Sequence, residues 1–526
     1  MRYRVLIPTA GTGSRLNNAT KHINKSLLSV GNKPIISHII EKFPKDIEIV
    51  IPLGYKGDIL KQYLVQAHPE RTFIFTEVNK YEGLGSGLGY SIYTAKMHLQ
   101  CPFIFCSNDT IVKEEIPEPT ENWIGYTELD DVSHYRSIRL NSDSVIELCE
   151  KDAHGDVKAY IGLSGIFDYK EFWAAMDSQN DAAIATGESH GLRAILNKGI
   201  KSHKFTWFDT GNPRSLGITR EFFRKEDEPN ILDKEEEAIW FVNDRVVKFS
   251  IDTDFIKNRV ARTQSLDKYV PEIIGSDKNI YVYRKVEGEI FSKNPTVTEF
   301  KRFLGWMQKF WIPKVLNQET KTQFNKICLN FYKIKTEQRI NKYFDRYKIQ
   351  DVEEVINGQK IPKVFDLLEK LDWDKISDGT PTRFHGDLHF ENILINNSES
   401  VEPFTLLDWR QDFGGFMKYG DIYYDLAKLN HGLIICHELI NKNCFSVSIS
   451  GNAIKYDFLR KQSLVECENF FYEFIQNQGF DLNKVKILTA LIYLNIAALH
   501  HHPYSQLLFY LGKNMLRNII EKQISN

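Results

Sequence analysis

Apolar and polar positions alternate in two different ways along this chain. In the first part, short continuous apolar runs occur at Val5-Leu6-Ile7-Pro8, over 47–52 and over 73–75. Stretches of helical spacing separate them, one running from Gly31 through Phe43 and one over 57–67. Continuous apolar runs bounded by turn residues read as strands buried on both faces. Strands joined by helical crossovers predict a mostly parallel, Rossmann-like α/β sheet with ligands at the strand carboxyl ends. Glycine-rich loops interrupt the pattern at 9–16 and 81–89, the second ahead of a helix starting near Tyr90. Two later apolar runs end in acids, Phe103-Ile104-Phe105-Cys106-Ser107-Asn108-Asp109 and Phe205-Thr206-Trp207-Phe208-Asp209. From residue 238 the pattern changes. Residues 238–250 alternate about Asn243-Asp244, which predicts a hairpin. A helix is expected over 254–265, followed by extended segments at 270–275 and 280–289. Helical spacing then runs from Thr296, is broken at 383–409, and resumes over about 456–479 and from Val485. The second part therefore reads as α+β.

With 526 residues, the chain exceeds what one hydrophobic core usually supports. The charge-dense segment 226–236 reads as a linker. It divides a domain at 1–225 from one at 237–526, the latter with a small lobe over about 237–290 and a large lobe over about 291–526. The composition, 42% hydrophobic and 26% charged, is that of a water-soluble globular protein. A formal net charge of −2 gives no basic footprint, so no nucleic-acid partner is expected. No apolar run reaches the length of a membrane span, the start has no signal-peptide architecture, and no internal repeat is visible. Seven cysteines without a C-x-x-C pair read as reduced thiols in a cytoplasmic protein.

The candidate chemistry begins at Thr9-Ala10-Gly11-Thr12-Gly13-Ser14-Arg15-Leu16. A strand opening into a glycine loop and a helix presents backbone N–H groups to a phosphate. Lys25 follows in Asn24-Lys25-Ser26-Leu27-Leu28, and then Lys33-Pro34-Ile35-Ile36. This order resembles the N-terminal signature of sugar-phosphate and phosphocholine nucleotidyltransferases, except that Asn24 stands where those families usually have proline. The resemblance implies that Ala10, Gly11, Thr12, Gly13, Gly83, Gly85 and Ser86 hold the nucleotide. It implies Mg²⁺ on Asp109 and Asp209, Arg15 and Lys25 on the phosphates, and Lys151 on the incoming phosphate. A phosphate nucleophile is already an anion and needs no general base. Tyr160-Ile161-Gly162-Leu163-Ser164-Gly165-Ile166-Phe167 should line the acceptor side, as the corresponding segment of those families does. Leu163-Ser164 departs from the Asn-Ala common in sugar enzymes.

In the second part, His385-Gly386-Asp387-Leu388-His389-Phe390-Glu391-Asn392 is followed by Leu406-Leu407-Asp408-Trp409. Phosphoryl transfer from Mg-ATP needs a carboxylate to accept the alcohol proton, and an amide and a second carboxylate to hold metal. The motif pair resembles the aminoglycoside phosphotransferase and choline kinase family, which is protein-kinase-like. The resemblance implies Asp387 as base, Asn392 and Asp408 as metal ligands, and His385 as organiser of the loop. It also implies Lys248 on the ATP phosphates and a hinge containing Tyr283. The helix over 254–265 lacks the glutamate that usually holds such a lysine, so the partner of Lys248 is open. Asp421 and Asp425 are read as structural. Trp409, Tyr423 and Tyr424, with Asp412, are candidates for an aromatic and acidic acceptor pocket suited to a quaternary ammonium. Arg410 stands where choline kinases often have glutamate and favours an acidic or hydroxylated acceptor. Three consecutive histidines, His500 to His502, point in different directions on a helix and are not expected to share a metal.

Taken together, the two halves imply a bifunctional transferase. A kinase would phosphorylate a small alcohol, choline-like or other, with ATP, and a nucleotidyltransferase would couple the phosphate product to an NTP with release of pyrophosphate. CTP and a place in surface-glycan synthesis are what the resemblance implies. Two alternatives stay open: an anomeric sugar kinase fused to a sugar-1-phosphate nucleotidyltransferase, and a non-catalytic regulatory or scaffold protein.

Overall fold

The structure is a computed structural model and describes residues 3–177, 181–224, 235–397 and 402–525. The expected linker, 226–236, lies outside the described residues except for Glu235 and Glu236. By contact the chain divides into two compact units, Met1–Ile256 with Ile273–Lys285, and Lys257–Glu272 with Val286–Asn526.

The first unit is built on a nine-stranded sheet. Its order is Phe73–Glu77, Glu48–Leu53, Arg4–Leu6, Phe103–Cys106, Lys158–Ile166, Trp123–Thr127, Lys201–Lys204, Ser144–Cys149 and Ser137–Asn141. The first four strands are parallel to one another. Lys158–Ile166 then runs antiparallel to both of its neighbours. The apolar runs are continuous because both faces are covered. Val5, Ile49 and Ile104 enter one core, and Leu6, Val50, Phe103 and Phe105 enter the other. A small antiparallel ribbon pairs Thr110–Val112 with Trp207–Asp209, with Asp209 opposite Thr110. That register brings the ends of two distant apolar runs together.

The four-stranded sheet Glu237–Val242, Arg245–Ser250, Ile280–Arg284 and Ile273–Ser276 also packs in the first unit. The hairpin turns at Asn243, whose φ of 53° suits a tight turn. One face of the sheet, with Trp240, Val247, Phe249 and Val282, shares a core with Leu60 and Tyr63 of the helix Gly57–Ala67. Trp240 meets Tyr63 edge to face at 5.1 Å. Expected in the second domain, these strands pack by contact on the first unit, because their alternating apolar side chains meet that helix. The other face carries Val246, Lys248, Tyr281 and Tyr283.

The second unit combines a three-stranded sheet, Gly288–Ile290, Ile393–Asn396 and Phe404–Leu406, with a large helical body. The helices Ile422–Ile434, Leu482–Ala497 and Tyr504–Ser525 build its main core with the segment from Gln318 to Tyr347. One expectation is corrected here. The helix expected over about 456–479 is the strand Ala453–Phe458 followed by the helix Gln462–Asn477. Phe445–Ser450 pairs antiparallel with Ala453–Phe458 around Gly451-Asn452, so Tyr456 is bound in a ladder that its local pattern did not reveal.

Candidate functional sites

In the first unit, Asp109 lies just past the end of Phe103–Cys106. Lys25 Nζ donates to its Oδ2 at 2.9 Å, and Ser107 Oγ to its Oδ1 at 2.5 Å. Asp209 accepts from the Gly211 N–H at 2.8 Å and from the Tyr135 hydroxyl at 3.0 Å. The two acids converge. A Cβ placed on Gly211 would lie 3.1 Å from both Asp109 Oδ2 and Asp209 Oδ1. Those oxygens are therefore no more than twice that distance apart, and glycine keeps the space between them open. Burial raises the Asp109 carboxyl, but Lys25, Ser107 and the more distant Arg15 outweigh it and hold the group below its ordinary range.

Asn24 explains how the departure from proline is accommodated. It is fully buried. Its side chain donates to the carbonyls of Thr9 and Tyr55 at 2.9 and 2.8 Å and accepts from the Ser26 N–H at 3.0 Å. It thus caps the short turn Lys25–Leu27 and ties Lys25 to the first glycine loop. Gly13 has φ 68°, a conformation that costs glycine little. Ala10 is buried, with its carbonyl accepting from the Tyr55 N–H, while Gly11 is exposed and Thr12 half-buried. Arg15 is exposed. Gly83 and Gly85 have open space around them, and Ser86 Oγ donates back to the Gly83 carbonyl at 2.7 Å. Tyr81, at the start of that loop, lies 6.4 Å from the Tyr55 ring and so close to the first loop.

Two expectations fare differently. Lys151 sits in an exposed turn and pairs with no acid among the described residues. Leu163 and Ser164, expected on the acceptor side, lie inside the sheet. Both are fully buried in the middle of the sheet, opposite Cys106 and Phe105, while Gly162 lies beside Ser107. Lys248 and Tyr283 share one face of adjacent strands and are 7% and 4% exposed.

In the second unit, Asp387 is held from three sides. Lys428 Nζ lies 2.8 Å from Oδ1 and His389 Nε2 3.7 Å from Oδ2. Asn392 Nδ2 donates to the Asp387 carbonyl at 2.9 Å, leaving the amide oxygen of Asn392 as an acceptor. Burial would raise the Asp387 carboxyl, yet Lys428 and His389 hold it well below its usual range. His385 is fully buried and spans the loop. Its Nδ1 faces the Asp387 N–H at 3.2 Å and its Nε2 faces the Leu407 carbonyl at 2.8 Å. An amide N–H can only donate, so Nδ1 accepts and Nε2 carries the proton. Burial lowers its pKa to about 3, which keeps the ring neutral. Gly386 has φ 89°, and a Cβ there would sit 2.6 Å from Arg410 Cβ. Asp425 accepts from the backbone N–H groups of His385 and Gly386 at 2.8 and 2.7 Å and from Trp311 at 3.1 Å. Asp421 accepts from Tyr332 at 2.7 Å.

Asp408 adopts φ 56°, an unusual conformation for a non-glycine residue, and its Oδ1 accepts from Arg259 at 3.2 Å. The helix that lacks the expected glutamate, Thr253–Leu266, instead supplies two arginines. Arg259 reaches Asp408, and Arg262, 1% exposed, donates to the carbonyls of Phe384, Arg410 and Met417. Their i, i+3 spacing was the available signal in the sequence. Lys428 likewise follows Asp425 by three positions on one helix face. His389, Glu391 and His437 place three ligand-type atoms within 4.8 Å of one another, a cluster invisible in sequence because His437 belongs to another element.

The aromatic acceptor pocket is corrected. Trp409 is 1% exposed and gives its indole N–H to the Arg259 carbonyl at 3.0 Å. Tyr423 packs against Phe480 and Lys484, and its hydroxyl accepts from the Asp481 N–H. Tyr424 is buried among Phe331, Tyr332 and Phe413. Asp412 accepts from the Gly415 N–H at 2.9 Å. These groups form packing and turns and leave no shared cage. Arg410 lies against the Asp387 loop, beside Gly386. The His500 and His501 rings lie near Tyr504, with His500 half-buried and both His501 and His502 exposed.

Among known families, residues 269–434 match APH, the phosphotransferase enzyme family. That span contains Asp387, Asn392, Asp408 and Lys428. The chain is 27% identical over 219 residues to the bifunctional protein GlmU of Methanococcus maripaludis, covering 40% of this chain and 51% of that protein. It is 25% identical over 218 residues to a UTP–glucose-1-phosphate uridylyltransferase of Staphylococcus epidermidis, covering 32% of this chain and 74% of that one. The chain spans about half the length of the first of these relatives. Among solved structures, a CTP:phosphocholine cytidylyltransferase from Streptococcus pneumoniae aligns at 17% identity with a TM-score of 0.35, covering 43% of this chain and 100% of that one. In the described residues, no helix is long and apolar enough to cross a membrane.

Proposed function

We propose that this chain, which joins a nucleotidyltransferase-like first part to a C-terminal phosphotransferase domain, catalyses two consecutive transfers. The second site phosphorylates a small alcohol with ATP, and the first couples the phosphate product to an NTP and releases pyrophosphate. The observation that carries this is that one chain has two separate carboxylate sites, each with a lysine on the reactive acid: Lys25 on Asp109 and Lys428 on Asp387.

At the second site Asp387, anionic at neutral pH, accepts the proton of the attacking hydroxyl, and Lys428 and His389 hold its carboxylate in place. His385 and Asp425 fix the backbone that presents it. At the first site Lys25 and Arg15 offset the charge of the phosphates, and the Gly11–Gly13 backbone cradles them. The free amide oxygen of Asn392 with Asp408, and Asp109 with Asp209 across the gap kept by Gly211, are oxygen donor sets that fit Mg²⁺. When bound, Mg²⁺ supplies charge neutralisation at the transferring phosphorus.

CTP and a role in surface-glycan synthesis belong to this reading through the sequence resemblance. The uridylyltransferase relative favours a second reading, in which the coupled phosphate is a sugar phosphate. The test uses the full chain with ATP, Mg²⁺ and a panel of alcohols and sugars, followed by each NTP, with pyrophosphate as readout. Asp387→Ala is expected to abolish only the ATP-dependent step and Asp109→Ala only pyrophosphate release. A folded variant that loses both would refute the division of labour. No turnover with any acceptor would leave the scaffold alternative standing.

A further inference from the structure

The acids and bases beside Asp387 do not balance. Lys335 Nζ lies 4.3 Å from the centre of the Phe331 ring, and the Arg410 guanidinium lies 4.9 Å from the same centre. Arg339 follows Lys335 by four positions on the helix Lys335–Tyr347, which puts the two like charges on one face. The close approach of Arg410 Cβ and Cδ to Gly386 sets Arg410 against the loop that carries Asp387. All three cations are half-buried.

The carboxylates of the Asp387 loop and of the segments packed on it are already engaged. Asp387 is paired with Lys428, Asp425 with the two loop N–H groups and Trp311, and Asp412 with the Gly415 N–H. Among the described residues, Lys335, Arg339 and Arg410 have no carboxylate partner, and the buried Nε of Arg410 has no hydrogen-bond partner. Partly buried cations that are not neutralised are costly unless a ligand brings the missing charge. The aromatic residues that could have formed a cage for a quaternary ammonium are committed elsewhere.

We propose that the alcohol phosphorylated beside Asp387 carries an anionic group of its own, a carboxylate or a phosphate, held by Arg410, Lys335 and Arg339. The inference rests on the kinase reading of this site and narrows its substrate class to hydroxy acids, sugar acids and alcohol phosphates. The hydroxyl would face Asp387 while the anionic end reaches the cation group. Burial, with Arg410, Arg339 and Lys428 nearby, lowers the Lys335 ammonium to about 7, as expected of a cation that lacks its counter-charge.

The test compares acceptors matched in size but not in charge, using the full chain with Mg-ATP: glycerate and glycerol 3-phosphate, glycerol, and choline. Anionic acceptors are expected to exceed the neutral and cationic ones by about tenfold or more in kcat/KM, the scale of a charge-assisted hydrogen bond. Arg410→Met and Lys335→Met should each raise KM for the anionic acceptor by a similar factor and leave KM for ATP unchanged. Arg410→Lys should recover part of the loss. Preference for choline or glycerol overturns the inference while sparing the kinase reading. So does a rise confined to KM for ATP, which would assign the cations to the nucleotide phosphates. If no acceptor of any charge turns over, the kinase reading fails. Calorimetric titration with glycerate and with glycerol 3-phosphate then decides the anion site alone: binding lost in Arg410→Met upholds it, and no binding of either to the unaltered chain overturns it.

Discussion

At the scale of single residues, each candidate acid depends on neighbours that arrive from elsewhere in the chain. Asp109, Asp209, Asp387, Asn392 and Asp408 stand out as candidates in the sequence because their spacing after apolar runs is a local property. Asn24, Tyr135, Arg259, Arg262 and Lys428 do not, since their partners lie between 15 and 155 positions away and are set by packing. Glu188 shows what packing does to a group without a clear signal. It is 3% exposed, its Oε2 has no hydrogen-bond partner, and Arg136 approaches its other oxygen only to 3.9 Å. Burial outweighs Arg136 and raises the carboxyl to about 7. A raised carboxyl contributes stability in its protonated form, fully present below the unfolded value of about 4.3 and lost as pH rises through the folded value. Glu188→Gln should therefore remove a loss of stability between pH 5 and 8 of up to about 3 kcal/mol. Thermal unfolding of the two proteins across that range is the measurement; parallel curves would show that the buried charge is compensated.

At the scale of elements, the helix Thr253–Leu266 is the largest departure from what the family resemblance implied. Its Arg262 holds the segments flanking Asp387 and Asp408 by their backbone carbonyls, a role that needs a buried cationic donor and no carboxylate, while Arg259 donates to Asp408. Arg262→Met would leave those carbonyls without their donor, at a cost on the order of 1–3 kcal/mol for each buried group left unsatisfied. The expected outcome is a sharp fall in ATP-dependent phosphorylation with pyrophosphate release from an added phosphate acceptor unchanged; equal losses in both would mean general unfolding. Helices and strands with strong periodicity were readable, such as Gly57–Ala67 and the hairpin about Asn243. The strand Ala453–Phe458 was not, because strand identity there comes from its partner Phe445–Ser450.

At the scale of the whole molecule, the sheet that carries Lys248 and Tyr283 draws stability from the core of the first unit. Trp240 is fully buried against Tyr63. Trp240→Ala should cost about 3–5 kcal/mol and make pyrophosphate release heat-labile, although residue 240 follows the expected linker. Heat inactivation confined to the ATP-dependent step would contradict that packing. The sequence by itself determined the two classes of fold, the two acidic motifs and their order, because alternation, glycine loops and motif spacing act over a few residues. Tertiary structure alone decided which cations reach each acid, which aromatics are packing and not pocket, and which core the strands after residue 236 join. Those are outcomes of burial and register between segments far apart in the chain, and no local pattern encodes them.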